Sequence, residues 1–222
     1  FGSPLDFGND YQMTVTDMTR FVQPTANFLP SVGAYLFLPL RFTSEFPFIG
    51  MMPIAFREWG YYEPMAGGLF TACPLLLLAL AAPFLRRRMH RSGYWGLATC
   101  SLALAVLLTV FDSHTAGLGW RYICDFGWMM AIAALVPMLY LMHPGGDAIV
   151  AGAPDPSERN EPRRDVTKRH PMMLACVRGL VVAALMASII LAVLACFIPG
   201  RDDSLINNNP VLYDTVVAWF RL

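Results

Sequence analysis

Charged side chains are scarce in this sequence. Only 14% of the 222 residues are Asp, Glu, Lys or Arg, whereas 56% are hydrophobic, and a soluble domain usually carries about 25% charged residues. The sixteen basic and sixteen acidic residues balance, so the net charge gives no basis for binding nucleic acid through phosphate neutralisation. The scarcity of charge therefore favours a membrane protein over a soluble one.

Motifs of the common soluble enzymes are missing as well. The sequence has no P-loop, dinucleotide fingerprint, nucleophile elbow or zinc-protease helix. Its five cysteines stand singly, without a CxxC pair, and we interpret them as small buried apolar residues. No cofactor is evident, and no soluble catalytic domain is predicted.

The hydrophobic residues are clustered in four long runs. A helix needs roughly 20 consecutive apolar residues to cross a hydrocarbon core about 30 Å thick. Four runs approach or exceed this length: residues 67–85, 93–111, 125–142 and 172–198. The sequence therefore predicts an all-α integral membrane protein with four transmembrane helices. The first three spans occupy residues 66–142, and Pro74 and Pro137 inside them are expected to bend their helices.

Residues 1–65 are predicted to be an extracytoplasmic segment that contains short interfacial helices. Its two apolar runs, at 28–40 and 46–56, are interrupted by prolines and are too short to cross a membrane. Non-helical backbone cannot face lipid, because its polar groups would have no partner there. We therefore expect these two runs to lie at the membrane interface or to pack on the spans.

Basic residues are concentrated in two connections between the predicted spans. Ten of the sixteen lie at 86–91, in the loop 143–171 or at Arg178 just inside the fourth span. By the positive-inside rule these connections are cytoplasmic, and the loop has the composition of a flexible linker. Both ends of the chain are then extracytoplasmic, in a multi-pass protein of the plasma membrane.

The two termini follow from this topology. An outside-facing start without a targeting segment leads us to expect that earlier spans precede Phe1. The tail 199–222 is predicted to be extracytoplasmic, with residues 210–222 forming a short amphipathic helix against the membrane.

The densest polar cluster is the predicted outer connection between spans two and three. It contains Asp112, His114, Arg121, Tyr122 and Asp125. If Arg121 begins a helix, Asp125 lies one turn further on the same face, so the two can form an ion pair. The pair is either structural, or Arg121 binds a lipid-linked phosphate through its planar donor fork while Asp125 holds it in position.

Two smaller groups also have alternative interpretations. Asp112 and His114 are spaced so that both could reach one divalent ion, but two ligands do not make a metal site, and no metal is predicted. Glu58 and Glu63 flank Trp59 and the Tyr61-Tyr62 pair. This arrangement is typical either of a sugar-binding surface or of an interfacial aromatic belt with solvated acids.

Three stretches carry a resemblance to a known group of proteins. They are FGSPLDFG with YQ at residues 1–8 and 11–12, RYICDF at 121–126, and NNPV at 208–211. They resemble signatures in the C-terminal half of large bacterial polytopic proteins that are similar to the GT-C superfamily of glycosyltransferases. That superfamily takes sugars from polyprenyl-phosphate donors on the outer face of the membrane. Its catalytic acid lies in a first extracytoplasmic loop that this chain does not contain, so no catalytic residue is carried over.

The resemblance implies a working hypothesis. The chain would be the C-terminal portion of a membrane glycosyltransferase-like protein in cell-envelope glycan assembly, with membrane lipids and a polyprenyl-phosphate-linked sugar as partners and no nucleic acid. The candidate substrate-binding residues are Arg121, Tyr122, Asp125, Asp112, His114 and Glu63. The alternative is a non-enzymatic polytopic membrane protein, either a scaffold or a component of a transporter.

Overall fold

The computed structural model describes residues 23–85, 94–142, 171–200 and 204–220. The predicted arginine-rich turn at 86–91, most of the loop 143–171 and the first signature at residues 1–12 lie outside the described residues. The described chain is mostly helical. Its elements are α1 (Thr25–Phe37), β1 (Arg41–Phe42), β2 (Ile49–Gly50), α2 (Leu69–Ala72), a 3₁₀ helix (Pro74–Ala81), α3 (Tyr94–Thr115), a 3₁₀ turn (Trp120–Tyr122), α4 (Ile123–Met142), α5 (Pro171–Ala195), α6 (Leu205–Asn208) and α7 (Pro210–Phe220).

Three of these helices are long and apolar enough to cross a membrane. They are α3 (Tyr94–Thr115), the 3₁₀ turn together with α4 (Trp120–Met142), and the part of α5 over Ala175–Ala195. The most apolar stretches of these helices have mean hydropathies of 1.8, 1.6 and 2.5. At most 28% of the most apolar stretch of each helix is buried inside the protein, so most of the residues in these stretches keep some surface that the described chain does not cover. Three predicted spans are therefore confirmed as long apolar helices of the expected kind.

The first predicted span is interrupted in the structure. The helix α2 stops after four residues, and Cys73 adopts a non-helical conformation with φ −135° and ψ 77° before the 3₁₀ helix Pro74–Ala81 begins. Proline has no N–H to donate, and its ring clashes with the carbonyl four residues earlier, so it fits the first turn of a helix best and disturbs a helix interior. Pro137, by contrast, lies inside α4 without ending that helix. The continuous spanning helix that was expected at 67–85 is not present, and the count of four spans stays a prediction.

The interrupted segment nevertheless reaches both ends of the bundle. At one end Ala66 packs with Ile198, just beyond the end of α5. At the other end Ala82 packs with Ala98 in the second turn of α3 and with Val136 near the end of α4. The backbone from 67 to 85 therefore runs the height of the bundle without forming one regular helix.

The core lies where α1, α2, α3 and α4 meet. Small side chains line the contact between α3 and α4, where Ala105, Ala133 and Ala134 are at most 2% exposed. Small residues allow helix backbones to approach closely, which is the usual way in which apolar helices pack when lipid is the solvent. Larger side chains, including Tyr35, Met65 and Phe126, fill the end of the core near the α3–α4 loop.

A two-stranded hairpin is a small exception to the predicted all-α fold. In it Arg41 pairs with Gly50 and Phe42 with Ile49. The ring of Phe46 in the hairpin turn stacks on Phe220 with a centroid distance of 4.5 Å. Since Phe220 lies at the end of α7, this stack joins the hairpin to the C-terminal helix, and the predicted helix at 210–222 is confirmed over Pro210–Phe220.

The interpretation of the cysteines as buried residues is wrong. Four of them, at positions 100, 124, 176 and 196, are exposed, and Cys73 is half-buried. Their presence in apolar runs indicated burial, but Cys100, Cys124 and Cys176 lie on exposed faces of α3, α4 and α5, and Cys196 is exposed directly after α5.

A hydrogen bond between α5 and the interrupted segment compensates for the break. The N–H of Leu75 donates to Oγ of Ser188 over 3.1 Å, and Ser188 itself donates to the carbonyl of Ala184 over 2.7 Å. The break at Cys73 and Pro74 leaves Leu75 without a regular helical acceptor, and an unpaired donor in an apolar surrounding costs free energy. Ser188, only 5% exposed, therefore stabilises the irregular backbone from another helix.

We expect Ser188→Ala to lower the free energy of unfolding by about 1 kcal/mol, the size of an interhelical hydrogen bond between apolar helices. Reversible unfolding in mixed detergent micelles measures the change. Ser113→Ala is the matched control, because buried Ser113 donates only to the carbonyl of Thr109 in its own helix. Equal effects of the two substitutions would contradict the assignment.

Candidate functional site

The α3–α4 loop, residues 116–119, positions the candidate site. The N–H groups of Ala116 and Gly117 both donate to the carbonyl of Asp112, over 2.9 and 3.1 Å, and so end α3. Gly117 has a φ of 92°, a conformation that glycine adopts freely and other residues rarely do. A Cβ atom there would lie 2.5 Å from the carbonyl oxygen of Tyr61, so the close approach of these two segments also requires glycine.

The side chain of Tyr35 hydrogen-bonds to the backbone of this loop. Its hydroxyl donates to the carbonyl of Gly117 over 3.0 Å and accepts from the N–H of Gly119 over 3.1 Å. The ring is fully buried and meets Phe126 of α4 edge-to-face at 5.4 Å.

Residues 61–63 lie alongside the same loop. The N–H of Leu118 donates to the carbonyl of Tyr61 over 2.9 Å, and the N–H of Glu63 donates to the carbonyl of Leu118 over 2.8 Å. This short parallel bridge fixes the register between two segments that are more than fifty residues apart in sequence. It brings Glu63 next to the start of the 3₁₀ turn Trp120–Tyr122.

Arg121, Glu63, Tyr61 and Tyr122 form one cluster, named here the Arg121 cluster. Nη2 of Arg121 lies 3.3 Å from Oε1 of Glu63 and donates to the hydroxyl of Tyr61 over 2.9 Å. That hydroxyl in turn donates to Oε1 of Glu63 over 2.6 Å. The guanidinium carbon is 5.4 Å from the ring centre of Tyr122 and 5.9 Å from that of Tyr61, within reach of cation–π attraction.

The protonation of Tyr61 suits its place in the Arg121 cluster. The pKa of Tyr61 is raised to about 12. Desolvation by burial is the largest cause, and the hydrogen bond to the Glu63 carboxylate is the next. The hydroxyl therefore stays protonated at neutral pH and can donate to Glu63 while accepting from Arg121. A guanidinium is always charged in proteins, so the cluster combines one fixed cation, one carboxylate and two aromatic faces.

Arg121 forms an ion pair with a different residue from the one that the sequence predicted. Its ion pair is with Glu63, and among the described residues it has no ion pair with the predicted partner Asp125, which is exposed. The prediction assumed that Arg121 begins an α-helix, whereas it lies in a 3₁₀ turn and α4 begins only at Ile123. In a 3₁₀ turn residues three apart eclipse each other, so side chains four apart do not line up.

Asp112 and His114 lie in different surroundings. Asp112 is only 6% exposed, and its Oδ2 has no hydrogen-bond partner among the described residues. His114 is exposed, and its ring is 6.1 Å from the ring of Phe28 in α1. The described part of the chain contains no group of three or more His, Cys, Asp or Glu side chains that could hold a metal ion.

The two neighbouring tyrosines Tyr61 and Tyr62 face different partners. Tyr61 belongs to the Arg121 cluster, whereas the hydroxyl of Tyr62 donates to the carbonyl of Glu58 over 3.2 Å and contacts the amide of buried Asn27. Trp59 is 70% exposed. The aromatic residues of 59–62 therefore do not form the single sugar-binding face that their spacing suggested as one alternative.

The sequence does not indicate a role for Tyr35 or the pairing role of Tyr61. The G-x-G at 117–119, between two long apolar runs, was the signal that a tight loop lies there. Nothing in the sequence pairs that loop with residues 35 or 61, because both contacts span more than fifty positions of the chain.

An apolar cavity of roughly 80 Å³ lies further along the bundle and is open to the surface on the side of Leu80, Val106 and Val110. One helical turn separates Phe126, which packs on Tyr35, from Met130 in the cavity wall. The lining residues are Val32, Leu36, Phe70, Leu80, Val106, Thr109, Val110 and Met130. The hydroxyl of Thr109 donates to the carbonyl of Ala105 in its own helix, so the cavity suits hydrocarbon and offers no polar group for a charged ligand.

Comparison of the chain with protein-family models, with curated proteins and with solved structures gives no match. The resemblance to GT-C glycosyltransferases stays a prediction, and the Arg121 cluster is the structural feature that bears on function.

We expect Tyr35→Phe to lower the free energy of unfolding by about 1–2 kcal/mol, because one hydroxyl satisfies two buried backbone groups. Amide hydrogen exchange at Gly119 should become faster, since its N–H loses its acceptor. Tyr94→Phe is the control, because Tyr94 is 51% exposed on the first turn of α3. Unchanged exchange at Gly119 in the Tyr35 variant would show that its hydroxyl does not hold the loop.

Proposed function

We propose that this chain is the C-terminal part of a membrane glycosyltransferase-like protein in bacterial cell-envelope glycan assembly, and that the Arg121 cluster binds the phosphate of a polyprenyl-phosphate-linked sugar. The membrane assignment is supported by the three long apolar helices, and the reaction class by the sequence resemblance. The catalytic acid would lie on an earlier segment of the complete protein.

The observation that carries the proposal is the exposed guanidinium at the end of a long apolar helix. The side chain of Arg121 is 65% exposed, so phosphate oxygens can reach it. Both of its hydrogen-bonding contacts described above use Nη2, and a guanidinium has five N–H donors in a planar fork that matches phosphate. At the boundary between lipid and water, this cation would meet the phosphate of a lipid whose tail lies beside the helices.

The other residues of the cluster would orient Arg121. Glu63 and Tyr61 hold Nη2, and the Tyr122 ring flanks the guanidinium. An exposed ion pair of this kind contributes only about 0–1 kcal/mol to stability, so its geometry is better explained by positioning than by folding. Tyr61 and Tyr122 also present aromatic faces beside the position proposed for the sugar phosphate.

The proposal includes a topology for the complete bundle. Residues 67–85 would make the first of four crossings as an interrupted segment, since they reach both ends of the bundle. The α3–α4 loop and both ends of this chain would lie on the extracytoplasmic side of the plasma membrane, because the arginine-rich connections are expected to stay inside.

In the complete protein reconstituted in lipid, we expect Arg121→Ala to reduce sugar transfer from a polyprenyl-phosphate donor by roughly 10- to 100-fold, the size of a charge-assisted hydrogen bond of about 1.5–3 kcal/mol. A radiolabelled-sugar transfer assay measures it. Arg57→Ala is the matched control, since Arg57 is an exposed arginine on the same predicted side of the membrane. Undiminished transfer by a folded Arg121→Ala protein would reject the phosphate-binding role.

The rival function is a non-enzymatic membrane protein, and one observation favours a transporter component within that class. Transporters often use discontinuous helices within the membrane, and residues 69–81 are such an interrupted stretch. Proteoliposome flux of a polyprenyl-linked glycan without sugar transfer would favour the transporter. A scaffold would show neither flux nor saturable binding of the polyprenyl-phosphate sugar.

We expect single cysteines placed at Arg88 and Arg164, in a variant without native cysteines, to be labelled by a membrane-impermeant maleimide only after spheroplasts are opened. A cysteine at Arg57 should be labelled in intact spheroplasts. Labelling of positions 88 and 164 from opposite sides would overturn the proposed topology, because it would require an odd number of crossings between them.

A further inference from the structure

Helix α1 exposes an apolar surface although it belongs to a segment predicted to lie outside the membrane core. Residues Thr25–Phe37 include no charged side chain. Leu29 is 73% exposed and Phe37 55% exposed. Apolar side chains this exposed, on a helix without charges, indicate that the helix has a partner other than water.

The contacts of α1 with α3 show where this helix lies along the bundle. Near the start of α1, Phe28 meets His114 in the last turn of α3. Further along, Val32 and Leu36 line the apolar cavity together with Val110 and Val106. Eight residues separate Phe28 from Leu36 and His114 from Val106, so α1 runs antiparallel to α3 for about 12 Å at 1.5 Å per residue.

The contacts with α4 give the same depth independently. Tyr35 packs on Phe126, in the first turn of α4, and Leu36 shares the cavity wall with Met130. Met130 lies seven residues after the start of α4 at Ile123, which corresponds to about 10 Å along the helix axis. The C-terminal end of α1 therefore lies roughly 10–12 Å from the ends of two long apolar helices.

Just beyond the C-terminal end of α1, the backbone polar groups of Leu38 have hydrogen-bond partners within the protein. The N–H of Leu38 donates to the carbonyl of Ala34 over 3.1 Å, while the carbonyl of Leu38 accepts from the N–H of Gly68 over 2.8 Å and from Oγ1 of Thr71 over 2.6 Å. A Cβ atom on Gly68 would lie 2.4 Å from the nitrogen of Leu38, so glycine is required for this approach. Internal pairing is what non-helical backbone needs where no water is present.

We propose that α1 is a re-entrant half-helix, and that its exposed face, with Leu29 and Phe37, contacts the acyl chains of the outer leaflet. This inference rests on the membrane location in the proposed function but not on its chemistry. The insertion is less than half of a hydrocarbon core about 30 Å thick. From Phe37 the chain needs only four residues, about 13 Å when extended, to bring exposed Arg41 back to the surface.

An inserted α1, unlike an interfacial one, would fix the depth of the Arg121 cluster in the membrane. The side chain that holds the α3–α4 loop, Tyr35, comes from the inserted part of α1. A helix anchored in acyl chains on one side and in α3 and α4 on the other gives Tyr35 a fixed depth. The position of the Arg121 cluster relative to the lipid headgroups is then set by how deeply α1 is inserted.

Site-directed spin labelling tests the inserted depth. Nitroxides are placed one at a time at Leu29, Phe37, Leu107 and Phe111 of the complete protein without native cysteines, in nanodiscs of phosphatidylethanolamine and phosphatidylglycerol. Leu107 and Phe111 are 60% and 56% exposed on α3 and provide reference depths. Accessibility to oxygen and to a water-soluble nickel complex is compared, and the label at Phe37 should be deeper than that at Leu29 by about 12 Å, the rise of eight helical residues.

Equal, shallow depths for the labels at Leu29 and Phe37 would show that α1 lies in the interface, and would overturn the proposal. Exposure of both labels to the nickel complex while Leu107 is protected would overturn it as well. If Leu107 is also accessible to nickel, the failure lies in the membrane assignment itself. The sugar-transfer assay of Arg121→Ala is independent of all four labels, so failure of the chemistry is distinguished from failure of the insertion.

Discussion

The pairing of backbone polar groups inside an apolar bundle is the constraint on which the rest of this structure depends. A regular helix satisfies its own N–H and C=O groups, but the described chain departs from α-helical geometry at several places beside the core, and three of them depend on bonds from elsewhere in the chain. Ser188 accepts from Leu75 after the break at Pro74, Gly68 and Thr71 donate to Leu38 at the end of α1, and Tyr35 satisfies the α3–α4 loop. Each bond comes from a different part of the chain, so the irregular segments also join the helices to each other.

The candidate site follows from one of these compensations. Because Tyr35 and the 61–63 segment clamp the α3–α4 loop from two sides, Glu63 and Tyr61 meet Arg121 at the end of a long apolar helix. The resulting ion pair is partly exposed and adds little to stability. Buried hydrogen bonds thus hold a loop whose exposed end carries a cation, a carboxylate and two aromatic rings, the arrangement that we propose binds a phosphate.

Hydropathy alone was sufficient for α3, α4 and α5, since a long apolar run with charges only near its ends has few other ways to satisfy its backbone. It was not sufficient for 67–85, where a single proline and the neighbouring Cys73 divide an equally apolar run into two short helices. Spacing failed at Arg121 and Asp125, because the residues between them change from a 3₁₀ turn to an α-helix. The exposed cysteines show a related limit of the sequence. Apolar neighbours indicate that a residue lies in an apolar helix, but not which face of that helix is covered by protein.

The sequence by itself determined the apolar helical class, the extent of three long helices and the presence of a polar connection containing Arg121, because composition and run length act locally along the chain. Only the tertiary structure decided that Arg121 pairs with Glu63, that Tyr35 holds the loop between them and that α1 runs beside α3 for about 12 Å. These features depend on contacts between residues far apart in sequence. Such contacts are selected by close packing and by the need to pair every buried polar group, and no short stretch of sequence contains that information.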